Sequence, residues 1–211
     1  MAIFSGDDEK VRTLLSGIMT TADYNALSGN FYCPYQIQNA DFITATTLSA
    51  NVMRGIPFVI TKESVLTSIS FHIITINGSK DPVFRIAIYN AYPDRFYPNK
   101  RILYSEPITI SDNKVIQLEN LSLENLNGVY FFCLQTSATK GINLKGIPKT
   151  AQQTLLGMTS AANSNPINRI EVSQPFTSGM PPTFLEGAPL VSSPYNPEAI
   201  FIKSKPLQLW K

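Results

Sequence analysis

SISFHIITINGSKDPVFRIAIYNA, residues 68–91, places the two most strongly patterned runs of this chain on either side of a turn. In the first run Ile69, Phe71 and Ile73, with Thr75, alternate with Ser70, His72, Ile74 and Ile76. A period of two belongs to a strand, because successive side chains of an extended chain point to opposite faces. The second face turns apolar toward Ile76, so this end is expected to be covered on both sides. Asn77-Gly78-Ser79-Lys80-Asp81-Pro82 follows, with a glycine able to take positive φ and a proline fixing the exit. The spacing predicts a hairpin into VFRIAIYNA.

The same texture extends outward from this pair. FITATTL, GIPFVI, VLTSISFHIITI, VFRIAIYNA, RILYSEPITI, KVIQLENLSL and GVYFFCLQT are seven β-branched and aromatic runs separated by turn residues, with no helical segment between them. That arrangement predicts an all-β fold, an antiparallel sandwich of jelly-roll type, over residues 41–211. In GVYFFCLQT, residues 128–136, Tyr130, Phe132 and Leu134 on one face and Val129, Phe131 and Cys133 on the other are all apolar, which predicts a central strand. After Thr136 most of the late prolines gather in NLKGIPK, TSAANSNPIN and QPFTSGMPPTFLEGAPLVSSPYNP. Proline removes a ladder donor, so irregular chain laid over the sandwich or over a neighbouring subunit is expected there, with AIFIKS as one further strand and Trp210 near the end.

Residues 1–40 read differently. DDEKVRTLLSGI puts acids ahead of Val11, Leu14, Leu15 and Ile18 at helical spacing, predicting one short helix with negative charge at its dipole-positive end. The mixture of Gly, Asn, Pro and aromatics that follows suits an extended arm, with Leu14, Leu15, Phe31, Tyr32 and Tyr35 as candidate anchoring residues. Acids stand where a signal peptide would need a basic region, and no apolar window reaches the roughly 18 residues of a membrane span. A chain made in the cytoplasm, without export or membrane insertion, is the expectation.

Composition narrows the function. Charged residues are 15% of the 211, and the formal net charge is +2 with no Lys/Arg cluster, so there is no field for a polyanion and nucleic acid is not an expected partner. The two cysteines, Cys33 and Cys133, are too few for a disulfide framework and are expected as reduced core residues. His72 is the single histidine and sits within a strand run. A general base needs an orienting partner and a nucleophile, and no motif supplies either; GxSxG, P-loop and HExxH patterns are all missing. No CxxC or HxxxH spacing suggests a metal, and DDEK and SDNK lack the ligand spacing of a calcium loop, so no cofactor is expected. A glycosidase pair among Asp94, Glu106, Asp112, Glu119 and Glu124 stays open as chemistry, although turn and strand-edge acids are by default solvated. The chain is expected not to be an enzyme.

The most suggestive polar cluster is YNAYPDRFYPNK, residues 89–100. Tyr89, Asn90, Tyr92, Asp94, Arg95, Tyr97 and Asn99 combine aromatic rings with planar polar groups. Such a set can cap the end of a sandwich, anchor a protein interface, or stack on and hydrogen-bond a sugar. All three readings are open at this level.

Taken in order, ANVMRGIPFVI, ISFHIIT, FRIAIYNAYPDRFYPNKRILYSEPITI, KVIQLENLSLENLNGVYFFCLQTSA and FTSGMPPTF resemble a β-sandwich module of bacteriophage tail-fibre, head-fibre and minor virion proteins, over about residues 46–190. The likeness lies in an opening "PF" strand, an "R-x-x-I-Y" strand running into a proline loop, a "G-x-Y" strand, and a proline-rich end. Phe131-Phe132 stands where that module carries a tryptophan, and the loop after Tyr89 is richer in aromatics. The resemblance implies a structural protein of the virion, in or on the capsid or a tail appendage, touching other virion proteins and assembling as a homo-oligomer, a trimer above all. The alternative it leaves is an adhesin that grips host-surface glycan through residues 89–99.

Overall fold

The computed structural model describes residues 29, 31–34, 43–76, 78, 80–147, 167–192 and 196–206. The strands are β1 (Phe31–Tyr32), β2 (Ile43–Leu48), β3 (Val52–Ile76), β4 (Val83–Ala91), β5 (Pro98–Tyr104), β6 (Ile108–Thr109), β7 (Val115–Leu118), β8 (Leu123–Thr136), β9 (Ile142–Gly146), β10 (Ile167–Ser173), β11 (Leu190–Ser192) and β12 (Ile200–Pro206). All strand pairings between them are antiparallel, and the chain is an all-β sandwich.

β3 is 25 residues long and belongs to both layers. Its first part, Val52–Ile60, lies between β8 and β10. The register with β8 then slips between Ile60 and Ser64 and again between Ser64 and Leu66, where that pairing ends; β12 pairs with Ser64–Phe71 and β7 with Ile69–His72. Its end pairs with β9. Bulges bend a strand and raise its twist, which is how one strand can leave a sheet and cross into the facing one. GIPFVI and VLTSISFHIITI, two strands by sequence, are therefore one. Nothing in the intervening Thr61-Lys62-Glu63 is a proline or glycine that would end it.

The hairpin predicted at residues 77–82 does not form. β4 pairs with β8, β5 and β6, and β8 stands between β3 and β4. Gly78 does take positive φ, at 71°, but the turn carries the chain across the core to the other layer. Phe71 of β3 then faces Phe84 of β4 and Phe132 of β8, with ring centroids 5.6 and 6.0 Å apart. A strand apolar on both faces does best between two partners, and β8 gains both: Ile56 and Ile88 flank Phe132 in register. Its central position is as the sequence predicts.

Two cores result, one on each face of this layer. Ile56, Phe58, Ile86, Ile88, Tyr130, Phe132 and Leu134 meet Leu66, Ile69, Phe71, Ile73, Ile116, Leu144, Ile200 and Ile202 between the layers. On the outer face Met53, Ala87, Tyr89, Phe131, Cys133 and Ile170 are covered by Met180, Phe184 and Ala188 of the proline-rich segment. Residues 174–189, with Pro175, Pro181, Pro182 and Pro189, thus lie over the sandwich of their own chain. Gly55 lies under this cover, where a Cβ would come within 2.7 Å of Ile170 Cγ2. The far end of β3 is less covered than its sequence suggests: Ile73 is buried, while Ile74 and Ile76 are half-buried.

AIFIKS forms β12, whose outer edge pairs with β1 through Phe31↔Lys203 and Tyr32↔Ile202. This part of the expected arm runs along the sandwich, with Cys33 packed at the edge of the core. Cys33 is half-buried and Cys133 buried, and no disulfide joins the two. The expected helix, Leu14, Leu15, Tyr35 and Trp210 lie outside the described residues.

Candidate binding groove beside the 90–97 loop

The segment from Gln174 to Pro189 contains Pro175, Pro181, Pro182 and Pro189, none of which has an N–H to offer. Its carbonyls are instead satisfied by side chains of the sheet beneath. Gln135 Nε2 donates to Gln174 O at 2.8 Å, Arg85 Nη1 to Phe176 O, Arg101 Nη1 to Met180 O, and the Tyr89 hydroxyl to Pro181 O at 2.6 Å. Backbone bonds from Arg101 N to Pro182 O (2.9 Å) and from Phe184 N to Asn99 O (2.8 Å) fasten it to the edge of β5. The result is a strap. Gly179, at φ 67°, makes its bend in a conformation that favours glycine.

This strap accounts for much of the aromatic cluster seen in the sequence. Tyr89 is fully buried, edge-on to Phe184 at 5.3 Å, and burial pushes its phenol well above the ordinary tyrosine range. Tyr97 is edge-on to Phe184 at 6.0 Å, and its hydroxyl is shared between Leu185 O (2.8 Å) and Ala188 O (3.2 Å). Asn99 contributes its carbonyl to the strap, and Asn90 Oδ1 accepts the Lys100 N–H at 2.9 Å. Four of the seven candidate contact residues are therefore committed to holding the loop and strap in place. Tyr92, Asp94 and Arg95 are the three that remain turned outward.

The outward part is shaped by its own short-range bonds. Tyr92 N donates to Tyr97 O and Tyr97 N to Arg95 O, each at 2.9 Å, with Pro93 and Pro98 restricting φ on either side. Phe96 drops back onto Phe131, edge-on at 5.5 Å. The Arg95 guanidinium lies over the Tyr92 ring, 4.0 Å from its centroid, and reaches Glu186 at 3.3 Å. With the two side chains 51% and 76% exposed, that ion pair orients the arginine and adds little stability.

Across from this loop stands the start of the apolar part of β8. Because Asn90 pairs with Tyr130, residues 127–130 form a second wall, and the two walls enclose a groove of about 580 Å³. The Tyr130 hydroxyl accepts Asn127 N–H at 3.0 Å and lies 3.3 Å from Asn127 O, so a core side chain ties down the rim. Gly128, at φ 114°, leaves open space where a side chain would stand. Only the β4–β8 register reveals Asn127 and Gly128 as a wall.

Elsewhere, one cluster of charges is buried. Arg54 Nη1 donates to Glu198 Oε1, while Arg54 Nε and Arg169 Nε each reach Glu171 Oε1 at 2.7 Å. Burial alone would lower Arg54, but the Glu198 and Glu171 carboxylates outweigh it and raise its pKa; Arg169, beside Arg54, is lowered by burial first. The two Arg and two Glu neutralise one another across β3, β10 and the chain entering β12, which makes the cluster a clamp between strands. Among the described residues no group of three His, Cys, Asp or Glu is placed to hold a metal. His72 is half-buried on β3, and Asp94, Glu106, Asp112, Glu119 and Glu124 are all exposed. Asp94 alone among them lines the groove.

No family model matches the chain, and no curated protein does. Among solved structures it is similar to the cysteine protease and lectin-like domains of Cwp84, a surface layer associated protein of Clostridium difficile. The TM-score is 0.45 and the identity 13%, over 79% of this chain and 36% of that one. The chain thus spans about a third of that structure's length. A likeness at this level bears on neither ligand nor activity.

Proposed function

We propose that this chain is a non-enzymatic structural protein of a bacteriophage particle, forming or decorating a capsid or tail appendage through protein–protein contacts, and working as a homo-oligomer, a trimer by preference. What supports this is where the segments that resemble phage virion modules meet in space. The GIPFVI part of β3 pairs with GVYFFCLQT of β8, and RIAIY of β4 pairs with the other edge of β8. FTSGMPPTF is the strap that seals the outer face of those same three strands, through Met180 and Phe184 on Tyr89 and Phe131. Four short motifs scattered over about 130 residues of sequence thus meet in one packed unit, which is the arrangement expected of the parts of one module.

A particle component is built for rigidity and repeated contact, and a layer buried on both faces with a side-chain-fastened strap suits that task. Quantitative mass spectrometry of purified particles, referenced to the main capsid protein, tests the proposal. Tens to hundreds of copies are expected for a capsid decoration or head fibre, and a few copies in a multiple of three or six for a tail or fibre part. Absence of the chain from the particles would overturn it.

A further inference from the structure

We propose that the groove between Tyr92–Phe96 and Asn127–Tyr130 binds a neutral polysaccharide, with Asp94 and Asn127 gripping ring hydroxyls and Tyr92 offering an aromatic edge to the sugar. The inference goes beyond membership of a particle and stands on the geometry of this groove alone.

Three features point to a sugar. First, the Asp94 carboxylate and the Asn127 carboxamide stand exposed on opposite walls, and neither side chain has a hydrogen-bond partner among the described residues. A carboxylate accepts two O–H bonds and a carboxamide both accepts and donates, which matches adjacent hydroxyls, each of them donor and acceptor at once. Second, the surface between them is apolar but small: Ala91, Pro93, Val129 and the bare Gly128 line the groove with Phe96 and the Tyr92 ring. The C–H face of a pyranose needs such a shallow apolar floor, and the open space at Gly128 admits it. Third, the site is preformed. The loop's own backbone bonds, the Phe96–Phe131 contact and the Tyr130 hydroxyl fix both walls before any ligand arrives, so little ordering cost falls on binding.

Charge decides between neutral and acidic sugars. Among the described residues lining the groove Arg95 is the single cation, and it is already held by Glu186, with Asp94 adjacent. One cation against two carboxylates repels uronates and sialates.

The intact chain is labelled with ¹⁵N and titrated with neutral oligosaccharides (gluco-, manno- and galacto-hexaoses) and with oligogalacturonate, following the amides of Tyr92, Arg95, Asn127 and Gly128. Saturable shifts at those amides with at least one neutral hexaose are expected, weakened about tenfold or more in Asp94→Ala and in Asn127→Ala. Both residues are exposed, so the two variants keep the melting temperature of the parent. The proposal is overturned if no neutral hexaose gives saturable shifts at these amides, if the acidic oligomer alone binds, or if neither substitution weakens binding.

Discussion

Phe184→Ala removes the side chain that joins the strap to the loop it covers. Phe184 is 2% exposed and packs edge-on to both Tyr89 and Tyr97. Truncating a buried phenylalanine costs about 3–5 kcal/mol, of which two edge-to-face pairs supply about 1–3. The strap keeps other attachments at the Tyr89, Tyr97 and Gln135 side chains, each adding about 1 kcal/mol. With the Arg85 and Arg101 guanidinium bonds, worth about 1.5–3 kcal/mol each, the attachments that remain exceed the loss, so the variant should keep its sandwich and a strap that is mostly closed but opens far more often. Two measurements read this together. Urea denaturation should show a loss of about 3 kcal/mol or more, and amide exchange at Arg101 and at position 184, which bond across the strap–β5 seam, should quicken by about a hundredfold. Exchange at Ile56, Phe132 and Ile88 should keep the order of protection of a core. A loss under about 1 kcal/mol with unchanged exchange at the seam would refute the claim that Phe184 fastens the strap.

The buried ion cluster and the buried acids yield two more expectations. Arg54→Met should cost about 3–5 kcal/mol in urea denaturation at neutral pH, because Glu198 is left charged and fully buried; Arg54→Met with Glu198→Gln should recover at least half of that, and strict additivity of the two changes would contradict the clamp. Alkali should destabilise the fold. The Cys133 thiol and Tyr89 phenol ionise at 9.0 and 10.0 in the unfolded chain, and burial raises both in the folded one. Above those values the unfolded state has released protons that the native state still holds, so this stability is complete below about pH 9 and declines as pH rises, by up to about 1.4 kcal/mol per pH unit per group. The denaturation midpoint should fall from about pH 9 upward, and less steeply in Cys133→Ala; a flat midpoint to about pH 11 would contradict the burial of these groups.

A period of two in residues 68–76, and two apolar faces in residues 128–136, were enough to establish an all-β fold with β8 at its centre, because strand geometry converts local alternation directly into faces. Proline content was likewise enough to mark residues 174–189 as irregular chain laid over a surface, since a missing N–H is a local property. Partnership is not local. Whether the turn at residues 77–82 closed a hairpin or crossed the core depended on which strand could bury both faces of β8, a competition among segments far apart in sequence. The loop at residues 89–99 shows the same division. Its residue types left a sandwich cap, a protein contact and a sugar contact all open, and the strap made the choice for its tyrosines: Tyr89 and Tyr97 turned inward to strap carbonyls and an apolar face, while Asn90 accepts the Lys100 N–H and the Asn99 carbonyl accepts that of Phe184. Tyr92, Asp94 and Arg95 stayed outside, and their opposite wall, Asn127 and Gly128, was brought to them only by the pairing of Asn90 with Tyr130.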